Sequence, residues 1–179
     1  MRLFIGLRPS EEFRAALSVL QDRLRSSGVE GRYLDPSNLH MTLAFIGEWQ
    51  EDVMPALPTV GRSFSITLSH PGLFPEAKVL WAGVMPSEAL DSLAAKVRNS
   101  LAGHGIPFDA RRFCPHITLA RRPSVPAGMK LCDIEVPPVS MTVDEVCLYR
   151  SDHGTAGMVY SVIGSRTCRC GKQAEEQEK

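Results

Sequence analysis

Two short stretches of this chain carry residue types that could do chemistry together. His40-Met41-Thr42-Leu43-Ala44-Phe45 returns 76 residues later as His116-Ile117-Thr118-Leu119-Ala120-Arg121. On a strand, side chains two apart face the same way. His40 therefore shares a face with Thr42, and His116 with Thr118, while Met41, Leu43, Ile117 and Leu119 point to an opposite, apolar face. Two such strands around one cleft suit a phosphodiester. A neutral imidazole takes a proton from the nucleophile and an imidazolium gives one to the leaving oxygen. The threonine hydroxyls can donate hydrogen bonds to the non-bridging oxygens. The arrangement requires no metal. A single strand histidine is more often structural, and threonine is simply a good strand former; the return of the same neighbours is what favours the functional reading.

Other constellations are weaker. There is no H-E-x-x-H, no histidine pair at helical ligand spacing and no paired C-x-x-C, so no metal site is expected. Cys114 precedes His116 by two and could align a thiol with the imidazole, but Pro115 interrupts the strand and nothing similar precedes His40. His70 beside Pro71, His104 between Gly103 and Gly105, and His153 in Ser151-Asp152-His153-Gly154 read as loop, helix-stop and hairpin-turn residues. Arg121 follows Thr118 by three and so projects to the opposite face of an ideal strand. Spacing leaves it between a surface arginine beside Arg122 and a guanidinium that bends back to a phosphate at a strand end. Phe45 holds the same place in the first copy, which suggests divided labour: a ring to stack on a base or cover the site, an arginine to bind charge.

The elements that must position these residues are readable from periodicity. Residues 2–7 read as a strand ending at Pro9. Ser10 caps a helix with Glu11 and Glu12 in its first turn, an apolar stripe of Phe13, Leu17, Leu20 and Leu24, and an end near Gly28. Ser87 repeats the cap before a second helix with Leu90, Leu93, Ala94, Val97 and Leu101 on one face, ending at Gly103. Strands are expected at residues 39–46, 64–69, 78–85, 116–120, 139–149 and 158–163. A short helix is expected near Pro55 and Pro58, and a loop over 123–128. Two helices among seven or eight strands argue for an α+β fold. The motif repeat, each copy downstream of a serine-capped helix, suggests two similar lobes sharing one cleft.

Composition narrows the setting. At 179 residues the chain makes one domain of ordinary size. Its 20 lysines and arginines balance 20 aspartates and glutamates, so it lacks the broad cationic face of a non-specific nucleic-acid binder, and phosphate recognition must be local. No apolar run approaches a membrane span, and Arg8, Glu11 and Glu12 arrive too early for a signal peptide. A cytoplasmic monomer is expected. The five cysteines are odd in number and lack a secreted-scaffold rhythm. From Ser165 onward the chain turns polar. The domain is expected over 1–164, with 165–179, including Cys168 and Cys170, a disordered tail.

The two motifs resemble those of the 2H phosphoesterase superfamily. The flanks are similar to the RNA 2′,3′-cyclic phosphodiesterases, also described as 2′-5′ RNA ligases. They comprise Arg2 to Leu7, His40 to Gly47, Phe113-x-Pro115-His116 through Arg121, Leu148-Tyr149-x-Ser151 and Gly157-x-x-Tyr160. The resemblance covers roughly residues 1–164. It implies a bilobal, pseudo-twofold arrangement of two antiparallel sheets with flanking helices around a central groove. It also implies metal-independent hydrolysis of a 2′,3′-cyclic phosphate at an RNA 3′ end, leaving a 2′-phosphomonoester, with 2′-5′ ligation as the reverse reaction. By motif match His40 would be the proton donor to the departing 3′ oxygen and His116 the proton acceptor from water. Thr42 and Thr118 would hold the phosphate, with Arg121 as a further contact. No cofactor is implied, and the partners would be RNA 3′ ends or small cyclic-phosphate nucleotides. A related enzyme acting on another small cyclic or 2′-5′ phosphodiester, and a groove that binds nucleotide or RNA ends without turning them over, are the alternatives. The second has no need of both protonatable groups.

Overall fold

The computed structural model describes residues 1–155 and 157–168; Cys170 and the rest of the chain beyond Cys168 lie outside the described residues. Two serines start the two helices. Ser10 Oγ accepts from the Phe13 amide at 3.2 Å and Ser87 Oγ from the Leu90 amide at 3.2 Å, each satisfying an otherwise orphaned first-turn donor. Helix α1 (Glu11–Ser26) buries Phe13, Ala16, Leu17, Leu20 and Leu24, and α2 (Glu88–Gly103) buries Leu90, Leu93, Ala94, Val97 and Leu101. Both stripes enter one core with Leu3, Ile5 and Leu7, and with Leu43, Ala82, Ile117 and Leu119. The helices therefore lie on one face of the sheet and leave the other open.

Among the described residues that sheet has nine strands: β1 (Arg2–Leu7), β2 (Glu30–Tyr33), β3 (Met41–Glu48), β4 (Phe64–Phe74), β5 (Val79–Val84), β6 (Ile117–Ser124), β7 (Ser140–Val143), β8 (Glu145–Gly154) and β9 (Gly157–Thr167). All pairings are antiparallel. The order is β7-β4-β5-β6-β3-β1-β8-β9, with β2 alongside β6. The order reads the same from both ends: β5 matches β1, β6 matches β3, β4 matches β8 and β7 matches β9. β3 and β6 touch through the single pair Met41↔Ile117, which are equivalent residues of the repeat. The pseudo-twofold axis thus passes between them, and the two expected sheets are the halves of one, joined edge to edge at that pair.

Several boundaries differ from the sequence expectation. β2 is a four-residue strand with no hydrophobic alternation to announce it. The stretch 139–149 divides at Asp144 into β7 and β8, which pair with opposite halves. β4 runs through His70 and Pro71, with an irregularity in its register between Leu68 and Pro71 that accommodates the proline. His70 is therefore a strand residue and not a loop residue. His153 lies in β8, opposite Met158, just before the hairpin tip. β6 continues through Pro123 and Ser124, where a loop was expected. β9 continues beyond residue 164: Ser165, Arg166 and Thr167 pair with Cys147, Val146 and Glu145. Among the described residues no helix is long and apolar enough to cross a membrane.

Candidate active site

Each histidine stands one residue ahead of its strand, at the point where the two half-sheets meet. A 3₁₀ turn, Pro36–Asn38, capped by the Asp35 carboxylate on the Ser37 amide at 2.8 Å, delivers the chain to His40. His40 Nδ1 lies 2.7 Å from the Asn38 carbonyl and His116 Nδ1 lies 2.8 Å from the Cys114 carbonyl. A carbonyl can only accept, so both Nδ1 atoms carry the proton and both Nε2 atoms are left for proton transfer. The same bond at the same i−2 position in both copies is what the repeat encodes. Cys114 contributes its carbonyl; its side chain is exposed ahead of β6.

Asn38 does more than accept. Its Nδ2 donates to the Met158 carbonyl at 2.9 Å and its Oδ1 accepts from the Tyr160 amide at 3.2 Å, which ties the turn to β9. Tyr160 meets the His40 ring edge-on at 4.7 Å between centroids, with Phe4 at 4.6 Å and Tyr149 at 5.6 Å. Phe74 of β4 meets the His116 ring edge-on at 5.0 Å. Tyr149 and Phe74 occupy matching strands of the two halves, so each imidazole rests against an aromatic ring from the strand outside β1 or β5. Sequence reasoning gave these packing residues no role, because rings that converge from separate strands have no common spacing.

Thr42 faces Gly6 and Thr118 faces Trp81 across their ladders. Met41, Leu43, Ile117 and Leu119 are buried on the helix side, so the period-two expectation holds through the motifs. It fails just beyond them. The β1–β3 register skips Leu43 and the β5–β6 register skips Leu119, a bulge at the fourth motif residue in both copies. One extra residue reverses the alternation. Phe45 and Arg121 therefore return to the face of Thr42 and Thr118, and the expectation that Arg121 projects to the opposite face is corrected. Arg122 follows at φ 50 and Lys78 lies opposite at φ 51, its carbonyl accepting from the Arg122 amide at 2.8 Å.

The bulges are held from below by the helices, crosswise. Gln21 of α1 is 2% exposed, and its Nε2 donates to the Leu119 carbonyl and the Leu34 carbonyl, both at 3.0 Å. Arg98 of α2 donates through Nε to the Leu43 carbonyl at 3.3 Å. Each helix follows the inner strand of one half and braces the motif strand of the other.

The charges around the imidazoles are positive. Burial lowers the His40 pKa to about 4, helped by the charges of His116 and Arg121 and opposed by the Asn38 carbonyl. Burial also lowers His116, opposed by the Cys114 carbonyl and helped by Arg121. Both histidines and Arg121 are thus within electrostatic reach of one another. Phe45 shares the open face but is engaged: it packs on Phe4, Cys147 and Tyr149, and the Arg2 guanidinium covers its ring at 5.1 Å. Among the described residues, no group of three or more His, Cys, Asp or Glu side chains is placed to hold a metal ion. His104 caps α2, its Nδ1 bonded to the Ser100 carbonyl at 2.8 Å, as a helix-stop residue should be.

The sheet is thus built about a pseudo-dyad that brings together a His-x-Thr motif from each half, with an arginine within electrostatic reach of both imidazoles. The chain belongs to the 2′-5′ RNA ligase superfamily, whose model matches residues 9–155. The RNA 2′,3′-cyclic phosphodiesterase of Thermotoga maritima is 31% identical over 175 residues, covering 91% of this chain and 93% of that protein. The protein of the same name from Thermus thermophilus is 33% identical, covering 99% of this chain and 94% of that protein. The crystal structure of E. coli LigT complexed with 3′-AMP superposes with a TM-score of 0.75 at 27% identity, covering 94% of this chain and 98% of that one.

Proposed function

We propose that the chain hydrolyses the 2′,3′-cyclic phosphate at an RNA 3′ end to a 2′-phosphomonoester, with His40 and His116 as the acid and base. The observation that carries this reading is the matched pair of imidazoles. Each has Nδ1 fixed on a backbone carbonyl and Nε2 free, and both lie within reach of Arg121. Water adds to phosphorus as His116 Nε2 takes its proton. The bond from phosphorus to the 3′ oxygen breaks as His40 Nε2 gives that oxygen a proton. Thr42 and Thr118 donate to the non-bridging oxygens, and Arg121 balances the charge that builds on them. In the empty site His40 favours its neutral form. The negative diester restores the imidazolium by reversing the local charge. With a 5′ hydroxyl in place of water as the nucleophile, the same proton transfers open the cyclic phosphate to a 2′-5′ linkage, the 3′ oxygen again leaving with a proton from His40.

The acid and base are told apart by the leaving group. His40→Ala and His116→Ala should each lose on the order of a hundredfold to ten-thousandfold in rate on an RNA cyclic phosphate. On a diester whose leaving group is a nitrophenolate, which departs unprotonated, His40→Ala should recover most of its activity relative to the unsubstituted protein and His116→Ala should not. The reverse pattern exchanges the two roles, and rescue of neither variant makes both histidines phosphate-positioning groups.

A further inference from the structure

β2 brings a second arginine to the open face. Arg32 is the cross-strand partner of Arg121 in the β2–β6 ladder, and both are exposed. Cross-strand partners share a face with Cβ atoms roughly 5 Å apart, and like charges in that position are destabilising. Among the described residues neither Arg32 nor Arg121 meets a carboxylate, whereas Arg8, Arg23, Arg25, Arg111 and Arg150 each pair with an Asp or Glu. The close approach is built in. A Cβ on Gly31 would press on Pro123 Cα at 3.3 Å and the Arg121 carbonyl oxygen at 3.4 Å, so glycine lets β2 lie tight against β6 just before Arg32. Arg121 acts on the imidazoles, and Arg32 stands one strand over from it, on β2.

We propose that Arg32, paired with Arg121, forms a second anion subsite that holds the phosphodiester joining the last two nucleotides of the substrate. This rests on the reading of the site given above. A guanidinium pair without acidic partners is the arrangement that a bridging phosphate neutralises. A mononucleotide fills only the reacting position, so the subsite selects RNA ends over free cyclic nucleotides.

Binding separates this inference from the reaction. Calorimetry on the full chain compares uridine 2′-monophosphate with a diuridylate ending in a 2′-phosphate, for the unsubstituted protein, Arg32→Ala and Arg32→Lys. One charge-assisted contact is expected to make the dinucleotide bind about tenfold tighter. Arg32→Ala should bring that ratio to within about twofold of unity. Arg32→Lys, which keeps the charge and guards against a misfolded alanine variant, should lie between. A ratio that Arg32→Ala leaves unaltered, equal weakening of both ligands, or no preference in the unsubstituted protein would overturn the subsite. If the ratio responds to Arg32 while the unsubstituted protein does not turn over an RNA 2′,3′-cyclic phosphate, the hydrolysis fails and the subsite stands.

Discussion

Burial, with the charges of His116 and Arg121, lowers the His40 pKa to about 4, and an anion bound there opposes both of those neighbouring charges. The sign follows. Below the ordinary imidazole value of 6.5 and above about 4, free His40 is mostly neutral. The bound anion raises that pKa, so binding takes up a proton and affinity increases as pH falls. His116, also lowered, acts in the same direction. Sulfate does not titrate in this range and is a clean probe. Its thermal stabilisation of the protein should be several-fold stronger in apparent affinity at pH 5.5 than at 7.5, and His40→Gln should remove much of that difference. Equal stabilisation at the two pH values would mean that the anion does not sit between the imidazoles. At this scale the motif pattern was legible, because period-two alternation marks His40, Thr42, His116 and Thr118 against buried neighbours. Arg32 was not, since its meaning comes from the residue across the ladder.

The bulges at Leu43 and Leu119 decide which way Phe45 and Arg121 point, and the helices decide whether the bulges persist. Gln21 is the buried polar residue beneath one of them, and its amide satisfies two carbonyls. Gln21→Leu fills the space but takes the side-chain donor from the Leu34 carbonyl and leaves the Leu119 carbonyl with the Leu34 amide alone. Chemical denaturation should show a loss of about 1–3 kcal/mol. A variant as stable as the unsubstituted protein would show that the bulge does not depend on the brace. The helices themselves were readable to within a residue or two, because cap, first-turn acids and apolar stripe agree. The bulges were not readable. Nothing in Thr-Leu-Ala marks where an extra residue enters a ladder, and that one residue reversed the facing of Arg121.

Across the whole molecule, the halves depend on their joint. Met41 and Ile117 are each 1% exposed and are the only pair in the β3–β6 ladder. Ile117→Ala should cost about 2–4 kcal/mol by denaturant titration, as expected for a buried aliphatic truncated in a tightly packed core. Ile117→Val should cost about 1 kcal/mol. If alanine costs no more than valine, the joint is looser than its burial indicates. The two-lobe arrangement was legible from the repeat alone. The strand order was not, because the separation of β7 from β8 turns on one residue, Asp144, with no breaker beside it.

The same strand order governs when the protein becomes competent during its own synthesis. The half that holds His116 is drawn from one unbroken run, β4 through β7 with α2, and every strand neighbour it needs within that half is already made when Val143 emerges. The half that holds His40 begins first and finishes last. β1 waits for β8, and His40 waits for Tyr149 and Tyr160. A chain leaving the ribosome therefore has one half with its strands complete and one without, and the aromatic surroundings of His40 are completed only as the last strand arrives. Because the first strand pairs with the eighth, a chain interrupted before β8 lacks the strand that flanks β1 and the Tyr149 ring beside His40.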